Sequence, residues 1–131
     1  MKILICTDSF KHSMTALEAS TSLAEGISSL GEDHQIDLVP LADGGEGTVR
    51  ALVDATRGRL IDCTVHDPLM NRRKAQLGIL GNDETAVIEM AAASGIELIP
   101  GNERNPLFTT SYGTGELIKQ ALDQGCKKII L

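Results

Sequence analysis

Carboxylates, hydroxyls and closely spaced glycines gather in four stretches of this 131-residue chain. Asp8-Ser9-Phe10-Lys11 carries an acid and a lysine. Asp43-Gly44-Gly45-Glu46-Gly47-Thr48 interleaves two carboxylates with three glycines. Glu89 closes an apolar run, and Thr109-Thr110-Ser111-Tyr112-Gly113-Thr114-Gly115-Glu116 opens a helical pattern rich in hydroxyls. Acids tolerate a divalent cation, glycine amides at a helix start let an anion approach the backbone, and Lys11 can offset charge. The mixture suits Mg²⁺ with a phosphorylated or carboxylate ligand. Each residue also has a plain structural use: Asp-x-x-Glu starts many helices, Asp8 can cap a turn, and Glu89 can pair with a nearby base. Neither G-x-x-x-x-G-K-[ST] nor G-x-G-x-x-G is completed anywhere, so the residues alone define an α/β site for a small anion and leave the reaction unnamed.

The elements that must hold these residues follow from periodicity. Lys2 to Cys6 reads as a strand buried on both faces of a parallel sheet. The segment from Thr7 to Met14 has no period and is long for a strand-to-helix loop. Thr15 and Glu18 form a capping box for a helix whose apolar face is Leu17, Leu23, Ala24, Ile27 and Leu30, stopped by Gly31. Ile36 to Val39 is the second strand. Asp43 is the expected N-cap of the second helix, with Glu46 reaching back to it, the first-turn glycine amides left open, and Val49, Leu52 and Val53 on its apolar face. Parallel strands joined by a right-handed crossover open their C-terminal loops onto one sheet edge, so Asp8–Lys11 and Asp43–Thr48 should be neighbours.

The rhythm changes after Arg59. Leu60–His66, Lys74–Leu80 and Thr85–Met90 are strand-like runs joined by turns and read as an antiparallel meander beside or within the parallel sheet. Ala91–Gly95 is a short helical turn, 100–110 a loop, and Leu117, Ile118, Ala121 and Leu122 the apolar face of a last helix ended by Gly125. The expected fold is α/β: a parallel βαβα start (1–58), an antiparallel three-strand meander giving a mixed sheet (59–96), then loop, helix and the beginning of a strand (97–131). Ending on the apolar Ile129-Ile130-Leu131 of an expected central strand, the chain reads as the front part of a longer protein. Self-association, a homodimer included, or poor stability is the expected consequence for the isolated chain.

A composition 42% hydrophobic and 23% charged is that of a soluble domain, and 2% aromatic content leaves the core to aliphatic residues. Net charge −6 argues against nucleic acid. No long apolar stretch or signal-like N-terminus is present, which points away from membranes and toward the cytoplasm. Cys6, Cys63 and Cys126 form no paired motif, and His12, His34 and His66 no metal spacing, so none receives a role.

Taken together, Asp8-Ser9-Phe10-Lys11, Ala42-Asp43-Gly44-Gly45-Glu46-Gly47-Thr48, Ile88-Glu89-Met90-Ala91-Ala92-Ala93-Ser94-Gly95 and Asn105-Pro106 with Thr109 to Ile118 closely resemble the N-terminal part of the type 1 glycerate kinases. Cys6-Thr7 and His12 depart from that pattern without removing a carboxylate or the lysine. The resemblance implies a cytoplasmic enzyme that moves the γ-phosphoryl group of MgATP to a hydroxyl of D-glycerate, with ATP and Mg²⁺ as cofactors. It makes Asp8, Lys11 and Asp43 the catalytic candidates, the two aspartates holding Mg²⁺ or orienting the hydroxyl. Ser9, Gly44, Gly45, Glu46, Gly47, Thr48, Glu89, Thr110, Ser111, Gly113, Thr114 and Gly115 become the substrate- and phosphate-binding candidates. A non-catalytic α/β module binding a small anion is the alternative, should the chain naturally end at Leu131.

Overall fold

The computed structural model describes residues 1–11, 13–31 and 33–131; His12, to which the sequence lends no role, lies outside them. The chain divides into two compact units, Met1–Ala51 and Leu52–Leu131.

In the first unit, β1 (Lys2–Ile5) and β2 (Gln35–Leu38) pair in parallel across α1 (Ala16–Ser28), as the βαβ pattern predicts. Thr15 caps α1 as expected: its hydroxyl accepts the Glu18 N–H at 3.2 Å and the Glu18 carboxylate accepts the Thr15 N–H at 2.8 Å. Gly31 ends the helical segment at φ +78°, a conformation open to glycine.

Two expectations fail here. β1 is not buried on both faces, for Leu4 is 61% exposed. Nor is the leucine stripe the buried face of α1: Leu17, Leu23 and Leu30 are 56%, 51% and 75% exposed, whereas Ala19 and Ser20 are buried. A two-stranded sheet explains both. Its four-residue strands span about 13 Å against about 20 Å for the 13-residue helix, so two such strands cover only part of one face of α1, the part that carries Ala19 and Ser20. There small side chains allow close approach. The buried Ser20 hydroxyl is satisfied by Thr7 Oγ1 at 2.7 Å, and Thr7 Oγ1 in turn meets the Ala16 carbonyl at 2.9 Å.

α2 (Thr48–Thr56) follows, with Val49 and Val53 buried and Leu52 half-buried as the periodicity predicts. It ends at Arg57 and Gly58, where the Gly58 N–H returns to the Val53 carbonyl.

The second unit is built on a four-stranded mixed sheet, β3 (Arg59–His66), β4 (Arg72–Ile79), β5 (Thr85–Val87) and β6 (Lys128–Ile130), in that spatial order. β3–β4 and β4–β5 are antiparallel, the expected meander, and β6 pairs with β5 in parallel. Strand alternation sends Cys63 and Val65 of β3 and Ala75, Leu77 and Ile79 of β4 inward, while Asp62 and Gln76 pair on the outer face at 2.7 Å. β5 stops at Val87 and not at Met90: the Ile88 N–H still donates to the Ile130 carbonyl, and Glu89 then takes the N-cap position of α3 (Met90–Ser94). α4 (Tyr112–Asp123) packs on β3 and α3 and closes the core with Leu117 and Ala121.

Candidate functional site

In the first unit the parallel ladder continues past both strands. The Val39 N–H donates to the Ile5 carbonyl and the Leu41 N–H to the Thr7 carbonyl, each at 2.9 Å. Both loops therefore leave from one edge and enclose a cavity of about 330 Å³ lined by Ser9 and Phe10 on one side and Leu41, Glu46 and Gly47 on the other. The first loop is folded by reciprocal backbone bonds between Phe10 and Met14. The predicted neighbourhood of the two loops is thus present, with Ser9, Glu46 and Gly47 lining it. Glu18 also lines the cavity, but its carboxylate is engaged by the Thr15 N–H and hydroxyl, which hold it below the ordinary carboxylate value.

Asp8 and Asp43 are exposed and stand one and three residues from the lining residues Ser9 and Glu46. Asp8 Oδ1 accepts the Ser9 N–H at 2.6 Å and Asp43 Oδ1 accepts the Gly45 N–H at 3.0 Å. Lys11 is exposed.

Asp43 is consequently not the N-cap of α2. It stabilises a turn, with Gly44 at φ +100° and Gly47 at φ +92°, and the helix begins only at Thr48, its first bond running from the Ala51 N–H to the Gly47 carbonyl. Aspartate side chains compete with helical bonding in this way. The Gly45 amide is spent inside the turn, contrary to expectation. Thr48 keeps its place at the helix start, and its hydroxyl oxygen is buried with no hydrogen-bond partner among the described residues.

The other candidates belong to the second unit. Glu89 is half-buried at the N-cap position of α3. Thr110 and Ser111 line a second cavity, and Thr110 Oγ1 accepts the Tyr112 N–H at 3.1 Å. Thr114 is buried, its hydroxyl 2.7 Å from that of Ser94, which ties α4 to α3. Gly113 is also buried: a Cβ there would lie 1.9 Å from the His66 carbonyl oxygen, so the glycine lets α4 approach β3. Gly115 is exposed with open space around it. Among the described residues no three His, Cys, Asp or Glu side chains gather into a metal-binding group, and no helix is long and apolar enough to cross a membrane.

Among the electrostatic contacts that the sequence reading missed, one involves the last motif. Glu116 accepts the His66 N–H at 2.7 Å and meets His66 Nδ1 at 3.0 Å, fastening the first turn of α4 to the end of β3. A separation of 50 positions in sequence hides the pair from any local pattern. Desolvation is the largest single influence on this carboxyl and raises it, but the His66 amide and ring, aided by the Arg72 charge, outweigh that and hold it below the ordinary 4.5. A depressed carboxyl contributes stability that is present above its unfolded-state value and is lost as pH falls through the folded one. Glu116→Gln should therefore destabilise the protein by about 1 kcal/mol at neutral pH, with the gap from the parent narrowing below pH 4.5, as denaturant melts across pH can check.

Comparison with known proteins places this geometry. The model of the Glycerate kinase family matches residues 3–131. A glycerate kinase of Haemophilus influenzae is 55% identical over the whole chain, and a glycerate 2-kinase of Escherichia coli 50% identical. A crystal structure described as glycerate kinase 2 from Salmonella typhimurium superposes with a TM-score of 0.81 over 98% of the chain at 50% identity. The chain spans only 34–35% of the length of these relatives. Since the family match runs from the third residue to the last, and the structural likeness covers both sheets, the chain belongs to the glycerate kinase family.

Proposed function

We propose that this chain forms part of the site of an ATP-dependent glycerate kinase, which transfers the γ-phosphoryl group of MgATP to a hydroxyl of D-glycerate and yields phosphoglycerate and ADP. The observation that carries the reading is the shared cavity between the Ser9 loop and the Glu46–Gly47 turn, in a chain of this family. Ser9 and Glu46 offer a hydroxyl and a carboxylate to the hydroxyl groups of the substrate. Asp43 or Asp8 accepts the proton of the attacking hydroxyl, and Lys11 offsets the charge of the carboxylate or phosphate. In the first unit Gly44 to Thr48 serve the anionic groups in this proposal; in the second unit Glu89, Thr110, Ser111 and Gly115 keep that role, while Gly113 and Thr114 are spent on packing.

The residues fit Mg²⁺. The metal takes one or two protein carboxylates and fills its remaining positions with phosphate oxygens and water, and Asp8 and Asp43 each have one oxygen not spent on a neighbouring amide. When bound, Mg²⁺ neutralises charge on the transferring phosphoryl group. The three free cysteines accord with a cytoplasmic setting. The relative named glycerate 2-kinase supports the 2-hydroxyl as acceptor, and the relatives give the non-catalytic alternative no support.

The test is ADP formation by the protein that carries this chain. ADP should appear only when D-glycerate joins MgATP, with a ³¹P signal of phosphate esterified at C2. Glycerate-independent ADP alone would refute the kinase reading, and a C3 ester would refute only the position.

A further inference from the structure

The second cavity, about 520 Å³, holds a residue that carries no role so far. Its walls include the apolar Pro68 and Ile99, and its polar lining includes Arg104, Asn105, Thr110 and Ser111. Among the described residues no acidic side chain lines it. The hydrogen bonds that the Asn105 and Thr110 side chains accept consume acceptors and leave donors. Asn105 Oδ1 accepts the Leu107 N–H at 3.0 Å, which leaves the Asn105 NH₂ group. Thr110 Oγ1 accepts the Tyr112 N–H, which leaves the Thr110 hydroxyl hydrogen. Arg104 Nε donates to the Ile99 carbonyl at 3.2 Å. That bond spends one of the five guanidinium N–H groups and orients the fork, leaving its two terminal NH₂ groups.

A cavity furnished with oriented donors, one of them a permanent cation, and with no competing carboxylate is complementary to an oxyanion. A guanidinium fork meets the two oxygens of a carboxylate or phosphate in parallel. We infer that Arg104 anchors the carboxylate or phosphate group of a small-molecule ligand in this cavity, assisted by Asn105 and Thr110. The identity of that ligand as glycerate or nucleotide rests on the kinase proposal; the anion site does not.

The test is ¹H–¹⁵N NMR of the full chain, titrated separately with D-glycerate, ADP and inorganic phosphate, with glycerol as a neutral control. At least one anion should shift the Arg104 Nε–H and the Thr110 and Ser111 amides, and glycerol should not. A response to D-glycerate assigns the carboxylate; a response to ADP and phosphate assigns the phosphate. Arg104→Gln should raise that dissociation constant about tenfold or more, and Arg104→Lys, which keeps the charge without the fork, by an intermediate factor. Unmoved resonances with all three anions, or an Arg104→Gln constant within about twofold of the parent, would overturn the inference. Anion binding here without glycerate-dependent ADP would sink the kinase reading alone. Turnover with these resonances unmoved would sink the Arg104 site alone.

Discussion

Asp43→Asn is expected to lower glycerate-dependent turnover by at least about a hundredfold, the lower end of what a positioned general base contributes. The substitution suits the question because the structural duty of Asp43 is to accept the Gly45 N–H through Oδ1. Asparagine retains an oxygen there and can close the same turn. Asp43 is also exposed, so stability should change by no more than about 0.5 kcal/mol. What disappears is the negative charge that would take a proton or hold Mg²⁺. Turnover within a few fold of the parent, with an unchanged melting temperature, would remove Asp43 from the chemistry and leave it as a turn residue.

Gly113→Ala is expected to act in the opposite way, through stability. The added methyl carbon would sit 1.9 Å from the His66 carbonyl oxygen and 3.0 Å from its carbon, and both atoms are backbone at the end of β3. Neither can swing aside as a side chain would. To accept the methyl, α4 must withdraw from β3, which loosens Leu117 in the core and strains the Glu116–His66 and Thr114–Ser94 bonds made by the same turn. The cost should be about 3 kcal/mol, or a fall of roughly 10 °C in melting temperature. Calorimetry on parent and variant decides the matter. An unchanged melting temperature with weakened anion binding would restore Gly113 to the binding role that its sequence context suggests.

These two residues show how the sequence reading divides. Periodicity and turn residues were sufficient for the βαβα start, the three-strand meander, the Thr15–Glu18 capping box and the last helix, because each is decided by residues within a few positions of one another. The four motifs also sufficed for the family, because their order and spacing are properties of the chain alone. The nearness of the Asp8 and Asp43 loops was legible too, since parallel strands with a right-handed crossover leave little choice of edge.

Where local rules competed, the sequence could not choose. Asp43 read as a helix cap, but an aspartate side chain can equally close a turn, and the positive φ of Gly44 and Gly47 went with the turn. The leucines of α1 had the right spacing for a core face, but a two-stranded sheet is too small to cover them.

Only the tertiary structure separated binding candidates from packing residues. In the motif Thr110 to Glu116, local sequence offers every hydroxyl and glycine alike. The fold turns Thr110 and Ser111 to a cavity, spends Thr114 on Ser94, presses Gly113 against His66, and commits Glu116 to the His66 amide and ring. Arg104 is oriented by the Ile99 carbonyl, which accepts from its Nε, and lines the same cavity as those hydroxyls. Secondary structure is decided by neighbours in sequence, whereas the partner of a polar group is decided by the neighbours that folding brings to it, and here those partners lie from five to fifty residues away.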